Sequence, residues 1–271
     1  MKPATLRQEF YEKGRFSGFP VYDMHGHMGP FYGIHFPFPD ADSMVKDMGR
    51  AGVKMLVFCH HSALFSPDTG NAANIEAVRK YPDRLRAYCC VNPNYPDIIK
   101  RDLATFDMHA DVYVGFKMHA SYHGHTLTDD AYRPVWEFAD ERKLLVLMHT
   151  AGVSSSLCGP APVRKIAEKY NNAALLLGHS CHGSWDEAIR LVKDFPNVYL
   201  ELCALMTEKG VLERMVAAGA VDRMLFGTDY PWFSHNYYIG AVLGADIEDE
   251  DRKKIFSSNG QKLLAPYIDK E

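Results

Sequence analysis

Several features that mark other classes of protein are missing from this sequence of 271 residues. Its six cysteines include no C-x-x-C pair and are too few for a disulfide framework, so we expect buried free thiols in a reducing compartment. Basic residues do not outnumber acidic ones (30 against 34), which argues against a nucleic-acid partner. The longest uncharged stretch, residues 144–163, contains Gly152, Pro160 and Pro162, which would break a membrane-spanning helix.

The first residues of the chain are unlike a leader peptide. They read MKPATLRQEFYEKGRF, which is charged throughout and has no apolar core, so we expect no secretory signal. These absences favour a cytoplasmic protein that works on a small molecule and away from membranes. The first predicted strand is not followed by G-x-G-x-x-G, so the usual signature of a dinucleotide-binding sheet is missing.

What the sequence does contain is a series of apolar, β-rich runs with helical patterns between them. The runs are Val21–His27, Val53–His60, Leu85–Val91, Val112–His119, Leu144–Thr150, Ala173–Ser180, Val198–Cys203 and Met224–Asp229. They recur roughly every 30 residues, the length of a strand, a helix and two loops. Several are continuously apolar, which is typical of parallel strands covered by helices. We predict a single (β/α)8 TIM barrel over residues 20–271 after an N-terminal extension over residues 1–19; an open doubly wound sheet is the alternative.

Capping signals mark the segments between the runs. Asp40 or Asp42 can cap the helix after the first strand. Residues 184–187 read Ser-Trp-Asp-Glu, which matches a capping box. Residues 208–218 and 248–264 are predicted to form further amphipathic helices.

Histidine stands out with 13 residues, and two of them close the first predicted strand as His25-Gly-His27. Side chains two apart on a strand share a face, so both rings can project from the barrel mouth toward one ion, with Met24 pointing outward to the helices. The alternative is that one or both rings only satisfy hydrogen bonds near the core.

Other strand ends carry similar chemistry. His149, His179 and Asp229 close the fifth, sixth and eighth predicted strands, whose carboxyl ends face the active site of such a barrel. Neutral imidazoles with one carboxylate suit zinc or a related divalent ion. Lys117 and His119 close the fourth strand on the same face, where they can contact substrate or line the wall.

The order along the chain of the H-x-H pair, His149, His179 and Asp229 is similar to the ligand pattern of the amidohydrolase superfamily. The GTDYPW segment at residues 227–232 and Ser258-Asn259-Gly260 resemble its amidohydrolase-2 branch, which includes aminocarboxymuconate-semialdehyde decarboxylase. The resemblance implies one bound divalent ion, usually zinc, with His179 beside it to polarise or protonate the reacting group. The implied ligands are His25, His27, His149 and Asp229.

The activity that follows is hydrolysis of a small amide, ester or lactone by a metal-activated water, with Asp229 as base. Non-oxidative decarboxylation of an unsaturated or aromatic carboxylic acid is the alternative, because the same ligands support it. A non-enzymatic metal-binding barrel is the third possibility. The resemblance also leaves two ions open, since a lysine placed like Lys117 is carboxylated and bridges two ions in binuclear amidohydrolases. It further implies a homo-oligomer.

Aromatic residues are dense in the loops after the first and last strands. Residues 28–38 and 230–238 include Phe31, Tyr32 and Trp232. These loops should overhang the site and favour an apolar or ring-containing substrate. Packing of the loops on one another, or a subunit contact, is the alternative.

Overall fold

The computed structural model describes residues 5–205 and 208–268. Parallel strands follow one another around a single sheet in the order of the sequence. They are β1 (Val21–Met28), β2 (Val53–His60), β3 (Leu85–Cys90), β4 (Tyr113–Met118), β5 (Leu145–His149), β6 (Ala174–Gly178), β7 (Val198–Glu201) and β8 (Met224–Leu225). Each strand begins within one residue of its predicted start.

Helices lie before the first strand, between the strands and after the last one. Among the described residues they are α1 (Leu6–Lys13), α2 (Ala41–Ala51), α3 (Pro67–Lys80), α4 (Pro96–Thr105), α5 (Ala120–His123), α6 (Arg133–Glu141), α7 (Pro160–Lys169), α8 (Trp185–Asp194), α9 (Val211–Ala217), α10 (His235–Gly244), α11 (Asp249–Lys253) and α12 (Asn259–Ile268). None of these helices is both long and apolar enough to cross a membrane.

The segment after β8 closes the sheet onto β1. Met24 N donates to Phe226 O at 2.9 Å, and Gly26 pairs with Tyr230 in a parallel bridge. The predicted (β/α)8 barrel is therefore confirmed. β8 ends earlier than predicted because residues 227–229 leave the ladder, and Asp229 N donates instead to His25 O at 2.8 Å.

Two buried layers hold the barrel together. The outer layer packs strand residues such as Phe58 and Phe116 against the helices, while the inner cluster joins Tyr88, Leu147 and other interior side chains to Leu264 of α12. Burying a Leu or Phe side chain contributes about 1.5–3 kcal/mol, so these layers dominate the stability of the fold. Met24 belongs to the inner cluster, so the prediction that it points outward is wrong.

The helix predictions are confirmed in part. Asp40 caps α2 by accepting from Ser43 N at 2.9 Å. The capping box at α8 is wrong, because Ser184 Oγ accepts from Val153 N in another loop at 2.9 Å and makes no bond within α8.

The predicted helix over residues 248–264 is interrupted by a π-helical segment, Lys254–Ser258. A wider turn frees backbone carbonyls from the regular ladder, and Ile255 O accepts from Phe226 N at 3.2 Å. The interruption thus ties the short strand β8 to the C-terminal helices. The helix predicted over residues 208–218 is shorter in the structure, at Val211–Ala217.

The first helix, α1, lies within the predicted N-terminal extension. Arg7 Nη2 donates to Leu243 O at 2.8 Å, and Leu6 N donates to Asp249 Oδ2 at 3.1 Å. These contacts fix α1 against α10 and α11. The division of the chain at residue 19 stays a prediction.

Candidate metal centre

The carboxyl ends of the strands surround a cavity of about 190 Å³. The residues predicted from the sequence as ligands, catalytic groups or substrate contacts all line it. They are His25, His27, Lys117, His119, His149, His179 and Asp229. The barrel therefore brings together side chains that are more than 200 positions apart in the sequence.

A β-bulge in β1 places Met24 on the same side of the strand as the two histidines of the H-x-H pair. Residues 23–26 of β1 face residues 56–58 of β2, so β1 contains one extra residue. Met24 and His25, which lie within this irregularity, both face the barrel interior. Simple alternation would have placed Met24 on the helix side.

His25, His27 and Asp229 form a compact group. Asp229 Oδ1 lies 3.1 Å from His27 Nε2 and 3.5 Å from His25 Nε2. The three candidate ligand atoms lie within 4.8 Å of one another. Asp229 has φ of 57°, in the left-handed region that non-glycine residues rarely adopt. Such strain concentrates at functional sites, where surrounding contacts maintain it.

The other nitrogen of each ring is held by a buried partner. His25 Nδ1 lies 2.8 Å from Glu201 Oε2, and His27 Nδ1 lies 3.3 Å from Cys59 Sγ. Metal-binding histidines commonly donate their second ring N–H to such an acceptor. Sequence reasoning missed Glu201. The available signal was an acid in the otherwise apolar run at the end of the seventh strand.

His179 lies beside the compact group in a strained turn. His179, Ser180 and Cys181 have positive φ of 67°, 46° and 54°. His179 N donates to Glu201 Oε2 at 3.2 Å, and its Nδ1 lies 3.0 Å from Cys203 Sγ. The turn therefore directs the remaining ring nitrogen, Nε2, toward the cavity that His179 lines.

His149 and His119 form the opposite wall. Their rings stack at 4.0 Å between centroids, and His149 meets the His179 ring at 4.7 Å. The compact ligand groups found among the described residues do not include His149. Its role as the fourth ligand stays a prediction.

Lys117 is 1% exposed, and its Nζ lies 2.7 Å from His25 Nε2. In the described ranges, no ion pair joins this ammonium to a carboxylate. A buried ammonium without a counter-ion is costly, so this group is suited to an anionic ligand. A cation at His25 Nε2 would require the flexible Lys117 side chain to move aside.

Burial determines the charge of several histidines. It lowers the pKa values of His25 and His149 well below their usual range and that of His179 to about 4. For His27, burial also lowers the pKa, but Cys59 and Asp229 outweigh it and raise the pKa to about 9. For Asp229, burial raises the pKa, but the neighbouring histidines hold it well below its usual range.

These residues fit a divalent metal ion. Two imidazole Nε2 atoms and an ionised carboxylate converge, while acceptors hold both Nδ1 atoms. Neutral imidazole is the ligand form, and a cation at His27 Nε2 would replace the proton that Asp229 otherwise favours. Nitrogen and oxygen donors of this kind suit zinc, manganese, iron or cobalt.

Another histidine shapes the mouth of the cavity. His61 is 1% exposed and is held between Gly29 O at 2.7 Å and Trp232 Nε1 at 3.1 Å. Phe31 stands 5.0 Å from the Trp232 ring and 6.2 Å from the Tyr122 ring, so aromatic side chains border the entrance.

Comparison with known families agrees with this architecture. The model of the amidohydrolase-2 family, described as "Amidohydrolase", matches residues 22–265. The chain belongs to the amidohydrolase-2 family. A search of curated proteins found no match.

Solved structures with the same fold include three decarboxylases. One is 5-carboxyvanillate decarboxylase from Novosphingobium aromaticivorans DSM 12444, complexed with manganese and 4-hydroxy-3-methoxy-5-nitrobenzoic acid (TM-score 0.72, 14% identity, 91% of this chain and 96% of that chain). Another is dihydroxybenzoic acid decarboxylase from Polaromonas sp. JS666 with manganese and the inhibitor 2-nitroresorcinol (TM-score 0.69, 16% identity, 91% of this chain and 97% of that chain). A third is 2,6-dihydroxybenzoate decarboxylase from Rhizobium (TM-score 0.68, 15% identity, 92% of this chain and 99% of that chain). At these identities the likeness establishes the fold alone.

Proposed function

We propose that this protein is a metal-dependent, non-oxidative decarboxylase, a carbon–carbon lyase that acts on a small aromatic or unsaturated carboxylic acid. The observation that carries the proposal is the buried Lys117 ammonium beside His25, which has no carboxylate counter-ion among the described residues. A carboxylate substrate would supply that counter-ion. The structural likeness to aromatic-acid decarboxylases supports the same reaction class.

The proposed ligands of the ion are His25, His27, His149 and Asp229. A divalent ion bound there supplies a Lewis acid to an oxygen of the substrate. We keep zinc as the proposed metal, and manganese is the alternative because two of the three decarboxylase structures described above contain it. Carboxylation of Lys117 would create a bridging group and allow two ions.

The remaining residues divide the reaction between them. Lys117 binds the carboxylate by charge. His179 takes up a proton at Nε2 and delivers it to the carbon that bears the carboxylate. The bond between that carbon and the carboxylate then breaks, its electron pair stays with the organic product, and CO2 leaves. One proton is consumed for each CO2 released.

The mouth of the cavity favours a flat, apolar substrate body. Phe31, Tyr122 and Trp232 line the cavity together with Leu64. Aromatic faces of this kind attract another ring by stacking and exclude water from the reacting bond. They favour a ring or a conjugated chain as the substrate.

Hydrolysis of an amide, ester or lactone is the second candidate function. The pKa of Asp229 lies well below its usual range, so the carboxylate stays ionised and can accept a proton from water. The two candidates differ in the bond that breaks, so a product assay separates them.

The test is to incubate zinc- and manganese-loaded protein with hydroxybenzoates and unsaturated acids carrying a 13C-labelled carboxyl group, in parallel with lactones, esters and amides. We expect labelled CO2 from an acid, and its loss in Lys117→Met. Lys80→Met is the matched control, because Lys80 pairs with Asp42 on the surface, away from the cavity. Turnover of esters, lactones or amides without labelled CO2 would establish the hydrolase, and turnover of no compound by metal-loaded protein would favour a non-enzymatic barrel.

A further inference from the structure

We propose that Glu201 and Cys203, after the apolar part of β7, are positioning residues that determine which ring nitrogen of His25 and His179 faces the cavity. Neither residue lines the cavity itself. The inference rests on the proposed function only where it treats His25 as a metal ligand and His179 as a proton carrier. The contacts that support it are independent of any reaction.

Glu201 is fully buried and is surrounded by donors. Its Oε1 accepts from Cys203 N at 2.8 Å, and its Oε2 accepts from His179 N at 3.2 Å. Oε2 also lies 2.8 Å from His25 Nδ1. Because both oxygens of Glu201 already accept from backbone N–H groups, the carboxylate meets His25 as an acceptor, so His25 carries its proton on Nδ1 and leaves the Nε2 lone pair for the cavity.

Cys203 extends this control to His179. Its Sγ donates to Glu201 Oε2 at 2.9 Å and lies 3.0 Å from His179 Nδ1. A thiol has one proton, and the carboxylate is the stronger acceptor, so the sulfur is left to accept from His179 Nδ1–H. The Nε2 atom of His179 is then unprotonated at rest, ready to take up the proton that it later delivers.

Some of these side chains also lie close enough together to suggest a second metal site. His25, His179 and Cys203 offer ligand atoms within 4.8 Å of one another. However, Cys203 Sγ stands 3.0 Å from His179 Nδ1 and 3.3 Å from His25 Nδ1, which are hydrogen-bond distances. Ligands held about 2.0–2.3 Å from a tetrahedral zinc ion would stand farther apart. The geometry therefore points to a hydrogen-bonded network.

The experiment compares Glu201→Gln, Cys203→Ala and Cys203→Ser with the wild-type chain. Cys89→Ala is the matched control, since Cys89 is also buried but its thiol contacts Asn71 and not a histidine of the cavity. Zinc affinity is measured by competition with a chromophoric chelator. Imidazole tautomers are measured by NMR of metal-free protein labelled with 15N-histidine.

We expect Glu201→Gln to weaken zinc binding about 10- to 100-fold, because His25 loses the carboxylate that fixes its tautomer. Cys203→Ala should leave zinc affinity near wild type but move the His179 proton from Nδ1. Cys203→Ser should restore the Nδ1 proton, because a hydroxyl can donate to Glu201 and accept from His179 as the thiol does. Cys89→Ala should change neither measurement.

Two results would overturn the inference. One is that the wild-type spectrum shows His25 and His179 protonated on Nε2, or that Cys203→Ala leaves the His179 tautomer unchanged. The other is a second equivalent of zinc that the wild type binds and Cys203→Ala loses, which would replace the network by a metal site. If Glu201→Gln does not fold, the wild-type spectrum and the two Cys203 variants still test the inference. None of these measurements needs turnover, so failure of the proposed reaction is distinguishable from failure of this inference.

Discussion

Gly227 packs directly against the buried carboxylate of Glu201, because a Cβ at position 227 would lie 2.0 Å from Oε1. Gly227→Ala must therefore displace the Glu201 carboxylate, which in turn supports His25. We expect weaker zinc binding, by about 10-fold or more, and a lower melting temperature.

The matched control for this variant is Gly240→Ala. Gly240 lies within α10, and a Cβ there would meet nothing within 4 Å. Alanine favours a helix over glycine by about 1 kcal/mol, so the control should be at least as stable as the wild type. Equal zinc affinity in the two variants would show that Glu201 has no influence on the site.

Asp229→Asn should abolish turnover and leave the fold intact. Asparagine keeps the shape of the side chain but removes the charge that His27 and His25 face at 3.1 and 3.5 Å. We expect unchanged circular dichroism and a rate reduced at least about 100-fold, because the proposed ion loses its anionic ligand, a larger loss than the roughly 10- to 100-fold effect of removing a partner of a metal-binding histidine. Full activity in this variant would contradict the assigned role of Asp229.

Removal of the metal should destabilise the protein as well as inactivate it. An ion that binds only the folded chain, at 100 times its dissociation constant, adds about 2.7 kcal/mol to the free energy of unfolding. We therefore expect a chelator to lower the melting temperature, and zinc or manganese to restore it together with activity. Identical melting curves with and without chelator would be inconsistent with a metal bound by the native fold.

Asn259 explains part of the Ser-Asn-Gly motif in physical terms. Its Nδ2 donates to Val221 O and Met224 O at 2.8 Å each, which ties α12 to the start of β8. Asn259→Ala should cost about 1–3 kcal/mol of stability, because two buried carbonyls lose their donor. The metal content of the folded fraction should not change, and a selective loss of metal would assign Asn259 to the site instead.

The barrel was predictable because its strands are short, apolar and regularly spaced. Burial on both faces requires continuous apolar runs, and the run at residues 144–150 predicts β5 to within one residue at each end. The π-helical interruption at Lys254–Ser258 was not predictable, since its carbonyl accepts from the backbone of Phe226, which directly follows the distant strand β8. The local hydrophobic pattern of a helix does not predict a tertiary contact of this kind.

The residues of the candidate site could be predicted from the ends of the strands. The buried residues that hold them in place could not. The alternation of side chains along a strand correctly predicted that His25 and His27 share one cavity. The bulge that reverses the orientation of Met24 is visible only in the pairing of β1 with β2. Glu201 was missed because one acid at a strand end has no distinctive spacing. Only the fold shows that His25 and His179 both depend on it.

The most direct test of a metal-dependent active site is the metal content per chain, measured by elemental mass spectrometry on protein purified without chelator. We predict about one divalent ion per chain, as expected for a single set of histidine and carboxylate ligands, and its loss when His25 and His27 are both replaced by alanine. About two ions per chain would assign Lys117 to a bridging role. No bound metal, even after reconstitution with zinc and with manganese, would contradict the account.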